Sequence, residues 1–251
     1  MAFCHVQWFS QVLSKQVAAD VILPDKGKGP YATFYLLHGL SDDCTIWHRR
    51  TRIEWYVRDL PLIVVMPDGF RGFYTDNDQG PAYAKYLGEE LVGFIEKTFP
   101  ARRARSGRCI GGLSMGGYGA LRLGLGYPQT YASVNSHSGA VMHGAKTYSK
   151  PDQAEFRRIF GARPAGSSHD LLVLARKASR SDQLPKLLID CGTEDFLLAD
   201  NREFHAKLQA MGVPHQYAEF PGQHNWDYWD LHIQEALRFH AKNLRLRTVG
   251  K

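Results

Sequence analysis

Arg108-Cys109-Ile110-Gly111-Gly112-Leu113-Ser114-Met115-Gly116-Gly117-Tyr118-Gly119-Ala120-Leu121-Arg122-Leu123 is the stretch on which the reading of this chain turns. Residues 108–111 have the apolar character of a strand, and 117–123 that of a helix. Between them lies a G-x-S-x-G run, so Ser114 falls at a sharp strand-to-helix turn. Such a turn closes only if the residues two before and two after the serine lack side chains, which Gly112 and Gly116 satisfy. Gly117 and Gly119 let the helix lie close to its strand, and the helix N-terminus directs partial positive charge at the space beside the serine. The plain alternative is a glycine-rich turn with an incidental serine. The strand before it and the helix after it argue for a nucleophile held at an elbow.

Outward from this motif, apolar strand-like runs alternate with helical ones. Strands are expected at 17–23, 33–37, 62–66, 108–111, 131–136, 186–191 and 215–220. Several, such as Leu62-Ile63-Val64-Val65-Met66, are continuously apolar, as strands covered on both faces are. Leu87, Leu91, Phe94 and Ile95 keep helical spacing and stop before Pro100. Phe204, Leu208 and Met211 do the same, with Gly212 at the stop position and Pro214 beyond. A last helix is expected over 226–244. This alternation predicts an α/β fold with a mostly parallel central sheet and helices on both faces. The strands before residue 38 lack intervening helices and are expected to pair antiparallel at one edge. The whole chain, 1–251, reads as one domain. Residues 140–186 break the rhythm, with two short helical patches among loops rich in Gly, Pro and Ser; a connection of that length is expected to form a small cap insertion.

Composition narrows the function. With 31 basic and 25 acidic residues the chain carries a net charge of +6, and much of the excess lies in 102–108 and 242–247. No aromatic platform accompanies these runs, so they read as a solvated connection and a terminus, and no nucleic-acid partner is expected. No apolar run reaches the ~20 residues of a membrane span, and the first residues lack the pattern of a secretory leader. A cytoplasmic protein is therefore expected, with no membrane partner. Four scattered cysteines read as free thiols; Cys109 and Cys191 fall in core runs, and Cys44 lies in a loop where a reactive thiol is conceivable.

A serine hydroxyl becomes a useful nucleophile when a base removes its proton. In an open parallel sheet the groups that meet do so at the carboxyl ends of strands. Leu187-Leu188-Ile189-Asp190-Cys191-Gly192-Thr193-Glu194-Asp195 runs from a buried strand into a loop and offers Asp195 or Glu194 as the acid. Asp190 lies within the strand, and Asp68 after strand 62–66 is a weaker candidate. Glu219-Phe220-Pro221-Gly222-Gln223-His224 brings a histidine to another strand end, just before the last helix. Among the 11 histidines, His137 precedes the acid in chain order, and His205 and His240 fall on helices. Acyl chemistry also needs hydrogen-bond donors for an oxyanion. The Met115 N–H is one, and the strand-ending turn Leu36-Leu37-His38-Gly39-Leu40 supplies the other from the Leu40 N–H, with His38 as its brace. Trp47 and Trp226 follow site loops and are candidates for the substrate pocket, with core packing the alternative.

Leu36-Leu37-His38-Gly39-Leu40-Ser41-Asp42-Asp43, the serine elbow through Ala120, Cys191-Gly192-Thr193-Glu194-Asp195 and Gln223-His224-Asn225-Trp226-Asp227-Tyr228-Trp229 together resemble the esterase D group of α/β-hydrolases, over roughly residues 2–240. That group includes S-formylglutathione hydrolases, tributyrin esterases, feruloyl esterases and mycolyltransferases, and the tributyrin-esterase branch is the most similar, through Val65-Met66-Pro67-Asp68-Gly69 and the Tyr-Trp after the histidine. The resemblance implies an α/β-hydrolase fold and a Ser114–Asp195–His224 triad, so it selects Asp195 over Glu194. It also implies oxyanion donors at Leu40 and Met115 and a serine carboxylesterase acting on small-molecule esters with short acyl chains. An S-formylglutathione hydrolase, a feruloyl or acetyl esterase, an acyltransferase and a non-enzymatic binding module are the rivals. HExxH and GxGxxG are absent and His232 and His240 stand eight apart, so neither metal nor cofactor is expected. Self-association into a homo-oligomer is left open.

Overall fold

The computed structural model describes residues 1–247. Its elements are β1 (Ala2–Ser10), β2 (Lys15–Leu23), β3 (Ala32–Leu37), α1 (Ile46–Arg50), α2 (Ile53–Val57), β4 (Leu62–Pro67), α3 (Tyr83–Lys85), α4 (Leu91–Thr98), β5 (Arg108–Leu113), α5 (Met115–Gly126), β6 (Ser133–His137), α6 (Ala154–Phe160), α7 (Leu171–Ala178), β7 (Lys186–Gly192), α8 (Leu198–Ala210), β8 (Gln216–Phe220) and α9 (Trp226–Asn243). A π-helical turn, Tyr86–Glu90, joins α3 to α4. All strands form one eight-stranded sheet in the order β1-β2-β4-β3-β5-β6-β7-β8. β1 to β2 and β2 to β4 are antiparallel, and every pairing from β4 through β8 is parallel. The fold is that of an α/β-hydrolase.

The apolar pattern of the central strands explains the layering. Along β3 and β4, Tyr35, Leu37, Ile63 and Val65 point to the face covered by α4, α5, α7 and α8. Phe34, Leu36, Val64 and Met66 point to the opposite face, under α1, α2 and α9. Because both faces are covered, all six residues of β3 and all six of β4 are buried. This corrects the expectation for the leading strands: β1 and β2 do form the antiparallel edge, but β3 lies in the interior, parallel between β4 and β5.

β1 was not among the expected strands. It alternates, with Phe3, His5, Gln7 and Phe9 exposed and Cys4, Val6 and Trp8 turned inward, and Trp8 stacks on Phe94 at 4.3 Å. The connection 140–186 has two dissimilar halves. In the first, Phe156 and Phe160 of α6 pack edge-on against Phe73, with ring centroids 5.7 and 5.1 Å away. In the second, α7 is capped by Asp170, whose Oδ1 accepts the Leu172 N–H at 2.9 Å, and buries Leu171, Leu174, Ala175 and Ala178 in the main core. The basic run at 102–108 is engaged by the protein itself. Arg103 donates to the Glu96 carbonyl, Arg105 to the carbonyls of Pro128 and Gln183, and Arg108 pairs with the Glu96 carboxylate. Among the described residues, no helix is long and apolar enough to cross a membrane.

Phe34 sits fully buried in the middle of the sheet, its ring 4.8 Å from that of His240. Phe34→Ala is expected to destabilise the protein by about 3–5 kcal/mol, the range for emptying an aromatic site in a packed core. Urea denaturation would read this as a lower midpoint with an unchanged slope.

Candidate active site

The serine elbow is the most constrained backbone in the site. Ser114 has φ 52° and ψ −116°, a region that costs a residue with a side chain about 1–3 kcal/mol and persists only where neighbours enforce it. Its N–H donates to the His137 carbonyl at 3.0 Å, and its own carbonyl accepts from the N–H groups of Tyr118 and Ala140 at 3.1 and 3.0 Å. A Cβ on Gly116 would stand 2.5 Å from the Leu37 carbonyl oxygen and 2.6 Å from that of His38. One on Gly112 would stand 2.7 Å from Gly116 and from the Leu37 oxygen. Only bare backbone fits between β5, β3 and the start of α5. From Cys109 to Leu125 every residue is buried except Ser114, so the turn presents one hydroxyl at the surface of an otherwise closed segment.

The structure brings the expected histidine and acid to that hydroxyl. His224 Nε2 lies 3.0 Å from Ser114 Oγ, and its Nδ1 lies 2.8 Å from Asp195 Oδ2. With Asp195 ionised, Nδ1 carries the proton and donates to the carboxylate, which leaves Nε2 as acceptor for the serine O–H. Glu194 is disposed otherwise: its carboxylate accepts the Gly222 N–H and the Thr193 hydroxyl. Together with the Glu194 N–H to the Gly222 carbonyl at 3.0 Å, this ties the loop after β7 to the loop after β8. Asn225 caps α9 by accepting the Tyr228 N–H at 3.1 Å, fixing the residue next to His224. The competing His137 is buried against Asp190 at 2.7 Å, with the Tyr228 hydroxyl on the other carboxylate oxygen at 2.9 Å. That arrangement braces the ends of β6, β7 and α9 beneath the elbow.

The Leu40 turn lies against the serine: a Cβ on Gly39 would be 3.8 Å from Ser114 Cβ. His38 holds the turn from below. Its Nε2 accepts the Gly69 N–H at 2.9 Å, which makes Nδ1 the protonated nitrogen, donating to the Gly39 carbonyl at 2.8 Å. The Tyr74 hydroxyl donates to the His38 carbonyl at 2.8 Å. The Met115 N–H is the first of the free amides of α5, and it opens beside the serine it follows.

The two tryptophans separate. Trp47 is 1% exposed and donates its indole N–H to the Leu37 carbonyl at 3.0 Å, so it braces the end of β3 and has no surface to offer a ligand. Trp226 is half-buried, edge-on to Trp47 at 5.3 Å and to Trp229 at 5.2 Å. Trp229 in turn meets the His224 ring edge-on at 4.9 Å. Phe196, which the sequence reading passed over, lies 4.5 Å from the His224 ring and is 76% exposed. A large apolar ring left in water directly after the acid was the signal available for it. Cys44 is buried, and burial, followed by the charges of Asp20, Asp68 and Asp43, pushes its thiol up to about 12. As a free thiol it is a poor nucleophile at neutral pH.

Burial pushes the Asp195 carboxyl up, but the His224 hydrogen bond, the Leu197 N–H and neighbouring Ser138 outweigh it and hold the group below its ordinary value. A carboxyl lowered by folding contributes stability that is present above its unfolded value and lost as pH falls through its folded one. The stability gap between the protein and Asp195→Asn should therefore narrow as pH falls from neutrality through the ordinary carboxylate range. Urea midpoints measured across that range would show it.

Comparison with known proteins identifies the family. The family model described as "Putative esterase" matches residues 10–240. An acetyl esterase from Caldicellulosiruptor saccharolyticus is 31% identical, over 96% of this chain and 99% of the relative. The fluorophosphonate-binding serine hydrolase FphF of Staphylococcus aureus superposes with a TM-score of 0.86 at 32% identity, covering 95% of this chain and 98% of that one. An S-formylglutathione hydrolase from the same organism gives 0.84 at 32% identity, with the same coverage. The chain belongs to this esterase family, in the esterase D-like group of α/β-hydrolases, and is a serine carboxylic ester hydrolase.

Proposed function

We propose that Ser114, His224 and Asp195 carry out hydrolysis of short-chain acyl esters through an acyl-enzyme intermediate. The observation that carries this reading is the continuous row from Asp195 Oδ2 through the imidazole to Ser114 Oγ, at 2.8 and 3.0 Å. Ser114 Oγ attacks the ester carbonyl as His224 Nε2 takes its proton, and Asp195 holds the imidazole in the tautomer that can accept it. The carbonyl oxygen becomes an oxyanion facing the N–H groups of Leu40 and Met115. His224 then protonates the departing alcohol. Water then attacks the acyl carbonyl as His224 takes one of its protons, and His224 returns that proton to Ser114 Oγ as the acyl–serine bond breaks and the acid departs. Each oxyanion donor is worth about 3–4 kcal/mol of barrier where such donors have been removed, which is why bracing of the Leu40 turn by His38 matters.

Phe196 lies against His224, with Trp226 one ring further out behind Trp229, an apolar wall of limited extent in keeping with acetyl to butyryl groups and with a tributyrin-type preference. On the other side of the Leu40 turn an open cleft is lined by Ser41, Asp42, Asp68, Phe70, Arg71 and Glu155, a polar lining suited to a hydrophilic alcohol. The second reading, hydrolysis of S-formylglutathione, is favoured by that polar cleft and by a 27% identical S-formylglutathione hydrolase from Paracoccus denitrificans. Turnover of S-formylglutathione against acetyl and butyryl esters separates the two. A cytoplasmic location accords with four unpaired cysteines.

Ser114→Ala is expected to lower turnover of p-nitrophenyl butyrate by about 10⁴-fold or more and to abolish labelling by a fluorophosphonate probe, with unchanged circular dichroism. Retained turnover would sink the assignment. Phe196→Ala should raise KM for the butyrate ester by up to about tenfold, the equivalent of about 1.4 kcal/mol of lost apolar contact, while kcat for the acetate ester stays within a factor of about two.

A further inference from the structure

A second cluster of chemically capable side chains lies outside the serine site, where the edge hairpin meets the segment leading from the Leu40 turn into α1. His5 on β1 and Asp20 on β2 are direct cross-strand partners, and Cys44 comes over them from that segment. The imidazole, carboxylate and thiol each offer one ligand atom, and the three atoms lie within 4.8 Å of one another. We propose that His5, Asp20 and Cys44 form a binding site for a zinc-type divalent cation, which clips the segment after the Leu40 turn to the β1–β2 hairpin.

Three features support the assignment. The first is burial of the carboxylate and the thiol side by side. Asp20 is 2% exposed and Cys44 5%. Asp20 Oδ1 meets His5 Nδ1 at 2.6 Å, and the Cys44 thiol lies beside this pair. The second is charge. A buried carboxylate and a thiol lie side by side here, and a divalent cation would neutralise the charge they carry as ligands, the coordinating thiol being deprotonated outright. The third is donor type and access. One N, one O and one S donor suit zinc, whereas magnesium and calcium take oxygen ligands. The His5 side chain is 45% exposed, so an ion can reach the site and water can take the fourth tetrahedral position.

The geometry needs little adjustment. Zinc bonds of about 2.0–2.3 Å place tetrahedral ligand atoms roughly 3.3–3.8 Å apart, so His5 and Asp20 separate slightly while Cys44 closes in. Binding releases the thiol proton, so affinity rises with pH, while the ring proton of His5 moves from Nδ1 to Nε2. Gln7, whose amide nitrogen lies 3.3 Å from His5 Nε2, accepts that hydrogen by turning its amide oxygen inward, an outer support of the kind that tunes metal sites.

The test uses the full chain carrying Ser114→Ala, stripped with chelator, so that the readout is independent of hydrolysis. Titration with cadmium is expected to produce a saturable ultraviolet thiolate-to-metal band at one equivalent, with zinc displacing it and raising the melting temperature. Cys44→Ser should abolish the band, Cys4→Ser should keep it, and His5→Gln or Asp20→Asn should weaken cadmium binding by about tenfold or more. Absence of the band in the parent protein, its survival in Cys44→Ser, or indifference to both His5→Gln and Asp20→Asn would overturn the proposal. Circular dichroism on each variant separates loss of the site from loss of the fold.

Discussion

The contact between Gly116 and the carbonyls of Leu37 and His38 sets the geometry on which the rest of the site depends. A methyl group at residue 116 would stand 2.5 Å from one oxygen and 2.6 Å from the other, so α5 can start directly beside the end of β3 only because that side chain is absent. This closeness has two effects. It forces Ser114 into its strained turn, lifting the hydroxyl out of a segment that is otherwise buried from Cys109 to Leu125. It also sets the turn after β3 against the serine, a Cβ on Gly39 standing 3.8 Å from that of Ser114, as the proposed pair of oxyanion donors requires. Backbone strain of about 1–3 kcal/mol is small beside what such preorganised donors contribute to a transition state.

Below that contact the site is held by polar bonds between buried groups. His38 joins the ends of β3 and β4, His137 and Asp190 join β6 to β7, and Tyr228 brings α9 onto the same carboxylate. The ends of β3 and β4, and of β6 and β7, are thus fastened together by hydrogen bonds whose loss would leave a buried polar group unpaired, at a cost of about 1–3 kcal/mol. Above this tier, the Glu194–Gly222 bonds tie the loop after β7 to the loop after β8.

Much of the fold was legible because it rests on local chemistry. The continuous apolar runs at 62–66 and 186–191 announce strands covered on both faces, and Gly112 and Gly116 announce a turn that only glycine can close. β3 was misplaced at the edge because its connectivity, with no helix before it, resembles a hairpin, whereas it pairs in parallel with β4 on one side and β5 on the other. β1 went unread although Cys4, Val6 and Trp8 alternate with His5 and Gln7, a pattern that short polar interruptions disguise. Residues 114, 195 and 224 were marked as candidates by motif and strand-end position, and the structure brings their side chains within hydrogen-bond distance. What no pattern encodes is orientation across the fold: that Trp47 turns inward to the Leu37 carbonyl while Trp226 stays half-buried, and that Glu194 is spent on joining two loops.

Phe196 has a consequence for solvation. In the free protein its ring lies against His224 yet remains 76% exposed, so one side of the imidazole is dry against Trp229 and the other borders a wet, apolar ledge. A guest whose hydrocarbon tail settles on that ledge evicts the adjoining water and finishes the enclosure of the imidazole at the moment it must take a proton. The dielectric around His224 would then be set partly by the visiting molecule, and a longer tail would leave the imidazole drier than a shorter one.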